Sequence, residues 1–215
     1  MPIAAKLMGG LLTFIARLVT GAQGHWLGCP PKAEQRIYFA NHQSHLDWVL
    51  IWAALPQDLR ATTRPIAARD YWTTHRLRHW ITREVFHAVY VERRRAAGED
   101  APDPLEPLLQ ALHGGDSLVI FPEGTRGHAV DPGPFRSGLY HLALQFPQVP
   151  LVPVWIDNVQ RVMPKGEVVP VPILCTATFG VPMQLLTDED KDGFLARARR
   201  AVLALRPAGT APLPA

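Results

Sequence analysis

The run Leu118-Val119-Ile120-Phe121, entered from Ser117, contains no polar residue and empties directly into Pro122-Glu123-Gly124-Thr125-Arg126-Gly127. A strand that does not alternate polar with apolar has both faces covered, so this stretch reads as the centre of a sheet with helices on either side. In open α/β sheets, ligands bind beyond the carboxyl ends of the strands. A turn at that point supplying a carboxylate, a flexible backbone, a hydroxyl and a guanidinium within five residues is a place to expect chemistry.

The rest of the chain supports such a sheet. Further strands are expected over Arg36–Ala40, Arg64–Ala68, His87–Arg93, Val149–Ile156 and Ile173–Phe179. Pro150 and Pro153 argue for an edge, a bulge or an unusual pairing in the fourth of these. Helical spacing marks an amphipathic helix over Leu46–Leu55 and another over Asp70–Arg83, with Asp70 as its N-cap. Leu105–Leu112 is a helix stopped by Gly114-Gly115, and a further helix opens at Phe135-Arg136-Ser137-Gly138 and runs to Phe146. Asp188–Leu205 is amphipathic, with Phe194, Ala198 and Val202 inward and Arg197, Arg199 and Arg200 outward. Lys165-Gly166 marks a hairpin-like excursion. Strands alternating with helices give the expected fold class: α/β, a single domain with a mixed, mostly buried sheet flanked by helices.

A chain of 215 residues suits one large domain. Residues 24–206 are expected to form it, with residues 207–215 as a frayed Pro/Ala tail. Residues 1–23 precede it: Leu7, Leu11, Leu12, Ile15, Leu18 and Val19 recur at helical spacing, interrupted by Lys6 and Arg17. The uncharged run between those two cations is far short of the roughly 20 residues that span a bilayer. An N-terminal amphipathic helix on a membrane surface and a helix packed on the core are both open readings. From Arg60 to Arg95, nine arginines face only Asp70, Glu84 and Glu92. That local excess of six exceeds the net charge of +3 for the whole chain. It suits anionic lipid, a phosphorylated substrate or nucleic acid, but no nucleic-acid motif accompanies it, so none is expected as a partner. Cys29 and Cys175 read as buried hydrophobes in a reducing compartment.

Asn41-His42-Gln43-Ser44-His45-Leu46-Asp47 follows the first strong strand. A histidine with one nitrogen held by a carboxylate accepts a proton on the other, the core of general-base catalysis. On one continuous helix, His42 and Asp47 would be roughly 140° apart. They meet only if His42 lies in the strand-to-helix turn and Asp47 in the first helical turn. Ser44-x-x-Asp47 is equally a capping box, and His42 and His45 also read as plain loop histidines. No metal site is expected, because the other histidines lack ligand spacing.

Four blocks in order, Asn41 to Asp47, the strand ending at Arg93, Phe121 to Arg126, and Val152-Pro153-Val154, resemble the glycerolipid acyltransferase family, in particular its bacterial 1-acylglycerol-3-phosphate acyltransferases. The resemblance spans roughly residues 37 to 156. It implies that His42 is the general base on a glycerol hydroxyl and that Asp47 orients it. It further implies that Arg93 holds the acceptor's phosphate, that Glu123, Gly124, Thr125 and Arg126 form the acceptor site, and that Phe121, Val152 and Pro153 wall the site or pack its acyl side. The implied reaction moves an acyl group from an acyl-CoA or acyl carrier protein thioester to lysophosphatidate, with no cofactor, at the cytoplasmic face of the inner (plasma) membrane. Backbone amides around His42 are candidate oxyanion donors. Two departures stand out. His87 replaces a glycine six positions before Arg93, which leaves a different lysophospholipid as an alternative acceptor, and Gly127 stands where serine is common. A non-catalytic lipid-binding module would use the same basic zone and apolar N-terminus.

Overall fold

The computed structural model describes residues 3–20, 23–44, 47–92, 103–127, 131–157 and 175–207. Seven strands form one sheet: β1 (Gln23–Trp26), β2 (Ile37–Ala40), β3 (Thr63–Ala68), β4 (Val89–Val91), β5 (Ser117–Ile120), β6 (Leu151–Asp157) and β7 (Thr176–Phe179). Their order is β1-β7-β6-β2-β5-β3-β4, and every neighbouring pair is parallel except β6–β7. The expected mixed sheet is therefore present, with β2 and β5 side by side at its centre. The turns after them emerge at one end of the sheet.

Alternation explains why the central strands are apolar on both faces. Tyr38 and Ala40 of β2 and Val119 of β5 point into one core with Ile51, Phe86 and Val154. Ile37 and Phe39, with Leu118 and Ile120, point into the other, against Leu139, Leu142 and Phe194. Both faces are covered, so the strands are apolar apart from Ser117, whose hydroxyl has a hydrogen-bond partner. The first core is roofed by α1 (Ile3–Thr20) and α2 (Asp47–Ala54), the second by α6 (Glu106–His113), α7 (Gly138–Gln145) and α8 (Lys191–Leu203). Asp190 caps α8 by accepting the Gly193 N–H at 2.8 Å.

Several expectations change. The helix after His42 is buried on nearly every side, with Trp48, Leu50, Ile51, Trp52 and Ala53 all inaccessible, because it is wedged between the sheet and α1 and is not amphipathic. A short helix, α3 (Gln57–Thr62), follows it. The single helix expected from Asp70 is broken into α4 (Arg69–Trp72) and α5 (Arg76–Trp80), the latter continuing as a π turn through Val85. Thr73 and Thr74 lie at the break, and their hydroxyls donate back to the carbonyls of Arg69 and Tyr71, competing with the helical ladder. Asp70 is not the cap, since Ala68 occupies that position. Strand β6 is interior rather than an edge; Pro150 lies just before it and Pro153 sits at a slip in the ladder. Val154 pairs with Phe179, yet Leu151 pairs with Met183 rather than Pro182, one residue out of step. Lys165-Gly166 falls outside the described residues.

The α1 helix is apolar on two sides. Ala5 and Gly9 are buried, and Met8 and Leu12 pack on the first core. Ile3, Leu7, Leu11 and Phe14 are exposed, Ile3 at 78% and Phe14 at 63%. The core-packing reading thus describes one side of this helix, and its other side is apolar and exposed. Among the described residues no helix is long and apolar enough to cross a membrane.

Candidate active site

Strand β2 ends at Ala40, and Asn41 continues its pairing by other means. The buried Asn41 amide donates to the Ile156 carbonyl at 3.0 Å and accepts the Ile156 N–H at 2.8 Å. A side-chain amide here stands in for one more peptide of the ladder, so the turn that follows starts from a fixed point. The sequence reading assigned Asn41 no role, although an asparagine directly after a buried strand is the signal for such a lock.

His42 and Asp47 meet across the strand-to-helix turn, Nδ1 to Oδ2 at 2.8 Å. Asp47 is the first residue of α2 and 1% exposed. The same Oδ2 accepts the N–H groups of Gln43 at 2.6 Å and Ser44 at 2.8 Å. The capping-box interaction and the dyad therefore coexist, with one carboxylate oxygen serving both. An ionised carboxylate only accepts hydrogen bonds, so Nδ1 is the donor to it, and in the neutral imidazole the lone pair is on Nε2. The imidazole stacks on Phe121, ring centroids 4.2 Å apart and planes within 17°.

Glu123, which follows β5, ties the two turns together. Its Oε1 accepts the His42 backbone N–H at 2.8 Å and its Oε2 accepts the Gly133 N–H at 2.8 Å, while its carbonyl accepts Arg136 Nε–H at 3.0 Å. The His42 carbonyl accepts the Gly127 N–H at 2.9 Å. Gly124 has φ +72, a left-handed turn that favours glycine. A Cβ there would also meet Arg136 Nε at 2.8 Å. The amides of residues 42, 43 and 44, candidates for binding an oxyanion, are all engaged by Glu123 or Asp47.

A cavity of about 890 Å³ opens at this end of the sheet. His42, Phe121, Gly124 and Arg136 line it beside Ile66, Val91, Leu108, Leu139 and Leu142. Thr125 and Arg126 are exposed and lie outside this lining. Val152 and Pro153 are interior residues of β6, in register with Tyr38 and Phe39, and support β2 from the side rather than walling the cavity. Val91 and Glu92 line the cavity; Arg93 lies outside the described residues. His87 precedes β4 at the amino end of the sheet, the end opposite His42. It has φ +47, which is why a glycine is at ease at that position.

Part of the basic zone is paired or stacked locally. Arg64 pairs with Asp116, Arg69 with Glu92 and Arg83 with Glu84, while Arg60 lies over Trp52 and Arg78 over Tyr71. Both cysteines are buried thiols outside any disulfide among the described residues. Burial pushes the Cys175 thiol up to about 12, with Asp157 and Asp47 acting in the same direction.

A histidine hydrogen-bonded to a buried carboxylate thus stands at a cavity beyond the carboxyl ends of parallel strands. The family model for acyltransferases matches residues 30–157, which takes in both turns, and the chain belongs to that family. Among curated proteins, the human 1-acyl-sn-glycerol-3-phosphate acyltransferase alpha is 32% identical over 178 residues, covering 80% of this chain and 59% of that protein. Its bovine counterpart is 34% identical over 140 residues, 64% of this chain and 45% of its own. A 1-acyl-sn-glycerol-3-phosphate acyltransferase from Limnanthes douglasii is 27% identical, covering 78% of this chain and 56% of that protein. The chain thus spans about half the length of these relatives. The crystal structure of the 1-acyl-sn-glycerophosphate (LPA) acyltransferase PlsC from Thermotoga maritima shares the fold, with a TM-score of 0.68 at 22% identity over 95% of this chain and 83% of that one.

Proposed function

We propose that this protein transfers a fatty acyl group from an acyl thioester to the free hydroxyl of lysophosphatidate, giving phosphatidate. The observation that carries the reading is the His42–Asp47 pair, 2.8 Å apart at the cavity, in a family whose relatives above are named for this acceptor. The acceptor hydroxyl gives its proton to His42 Nε2 as its oxygen attacks the thioester carbonyl carbon. The tetrahedral intermediate collapses by breaking the carbon–sulfur bond, and the departing thiolate takes the proton from Nε2–H. Asp47 keeps the ring in the reactive tautomer and stabilises the imidazolium while it exists. No acyl-enzyme forms. Acyl-CoA or an acyl carrier protein serves as donor, Arg93 holds the acceptor phosphate, and the exposed side of α1 rests on an anionic membrane surface at its cytoplasmic face.

The test is His42→Ala in the purified protein, assayed with acyl-CoA and lysophosphatidate. Its rate falls by about 10²–10⁴, the range of general-base contributions, with the thermal transition unchanged. A folded His42→Ala protein with a near-normal rate overturns the reading.

A further inference from the structure

We infer that Arg136 is a second anion-binding residue of this site, a fixed guanidinium that receives a phosphoryl group of the substrate beside His42; this rests on the acyl-transfer reading above. Nothing in the sequence pattern marks it beyond its place at the opening of a helix. The structure immobilises its stem from three sides. Its backbone N–H donates to the Pro122 carbonyl at 2.8 Å, and its Nε–H donates to the Glu123 carbonyl at 3.0 Å. Its side chain lies against Gly124, where a Cβ would stand 2.8 Å from Nε, 2.9 Å from Cδ and 3.2 Å from Cζ. Gly124 is thus a seat for this guanidinium as well as a left-handed turn.

What remains is the outer edge of the fork. Neither Nη1 nor Nη2 has a hydrogen-bond or ion-pair partner among the described residues, and the residue is exposed and lines the cavity with His42. It is the single guanidinium or ammonium among the described lining residues. The two lining carboxylates are engaged elsewhere: Glu92 pairs with Arg69 at 2.8 Å, and Asp103 accepts the Leu105 N–H at 2.9 Å. A positive charge left without a counter-ion, offering two parallel N–H donors, matches the geometry of a phosphate monoester or diester.

Glu123 sets the spacing between this cation and the base. Its carboxylate holds the His42 backbone and its carbonyl holds Arg136 Nε, so one residue fixes the hydroxyl-accepting and phosphate-accepting groups relative to each other. Both substrates of the proposed reaction carry phosphate, lysophosphatidate on its glycerol and acyl-CoA on its nucleotide and pantetheine arm.

Arg136→Gln and Arg136→Lys, each checked by its thermal transition, separate the possibilities. The full protein is assayed with acyl-CoA or a phosphate-free acyl N-acetylcysteamine thioester as donor, and with lysophosphatidate or 1-monoacylglycerol as acceptor. Loss of a charge-assisted pair of hydrogen bonds raises KM for the phosphorylated substrate by roughly tenfold to a hundredfold in Arg136→Gln, with a smaller change in kcat. Arg136→Lys keeps the charge without the fork and falls between. A loss confined to lysophosphatidate assigns the phosphoryl group to the acceptor, and a loss confined to acyl-CoA assigns it to the donor. An equal loss with every pair, or none, overturns the proposal. Absence of transfer by the unaltered protein with all four pairs overturns the acyl-transfer reading instead. Binding of lysophosphatidate and of CoA, each followed by tryptophan fluorescence, then decides on Arg136: unchanged affinity for both in Arg136→Gln overturns the proposal, and a tenfold or greater weakening for either supports it.

Discussion

The two ends of the sheet handle buried polar groups in opposite ways. At the amino end, Arg36 is 1% exposed, and its guanidinium contacts Glu34 Oε1 at 2.6 and 3.0 Å, Cys29 Sγ at 3.1 Å and the Pro30 carbonyl at 3.1 Å. Its backbone N–H donates to Ser117 Oγ, and neighbouring Gln35 donates to the carbonyls of Leu112 and Asp116. At the carboxyl end, Asn41, Asp47 and Glu123 are buried and bonded just as firmly. Yet the groups they support, His42 Nε2 and the Arg136 fork, have no partner among the described residues. One end is closed on itself; the other holds two side chains firmly and leaves their outer atoms unpaired among the described residues. The excess of donors and acceptors, more than burial or charge, distinguishes a site from a strut.

The sharpest way to break this contrast is Asp47→Ala. It removes the His42 partner and leaves the Gln43 and Ser44 amides without their acceptor. The rate is expected to fall by about 10²–10⁴, and stability by roughly 2–4 kcal/mol, in urea melts. Asp47→Asn keeps an acceptor for the amides but can favour the wrong imidazole tautomer, so it should lose rate with far less stability. Equal losses of stability in the two variants would contradict that separation.

At the amino end the expectation reverses. Arg36→Leu abolishes the contacts to Glu34, Cys29 and Pro30 and lowers stability by about 1–3 kcal/mol, while kcat per folded molecule stays the same. A loss of kcat without loss of stability would show that the two ends are coupled. Burial of the guanidinium by itself disfavours its charge, and the Glu34 carboxylate counters this, so that Arg36 is held protonated.

The smallest effect belongs to His87. Burial, with Arg64 nearby, lowers its pKa below the ordinary 6.5. The unfolded chain then binds the proton first, so stability is full above pH 6.5 and declines as pH falls from there toward the lowered folded value. His87→Gly removes this slope and relieves the φ of +47. Thermal melts from pH 7.5 to 5 should show a flatter profile and a stability change within about 1 kcal/mol at neutral pH. A slope as steep as that of the unaltered protein would place the titrating group elsewhere.

What was legible in the sequence was local or patterned. The five-residue spacing of His42 and Asp47 is bridged by one turn, and the apolar run before Pro122 needs two covered faces; both follow from short-range geometry. The glycine position occupied by His87 was visible as well, but its meaning depended on strand direction. Only the parallel pairing of β3 with β4 places residue 87 at the end of the sheet away from the base. Arg136 was invisible for a different reason. Its importance comes from packing over Gly124, twelve positions earlier in the chain, and no periodicity records such a contact. The break at Thr73-Thr74 was missed because hydroxyl back-bonding competes with a helical pattern that those residues do not otherwise disturb.

The anchoring around Glu123 separates two design variables. Gly127 is fastened to the His42 carbonyl and Gly133 to Glu123 Oε2, so the chain is fastened at two points that flank residues 128–132. The register of the base is set at those fasteners and not by what connects them. Residues inserted between Gly127 and Asp131 are expected to leave the His42 turn in place, whereas Asp131 and the buried Pro132 are tied to α8 and its end through Arg206 and Arg199. A reporter peptide placed between Gly127 and Asp131 is expected to leave the chemistry of the site unchanged.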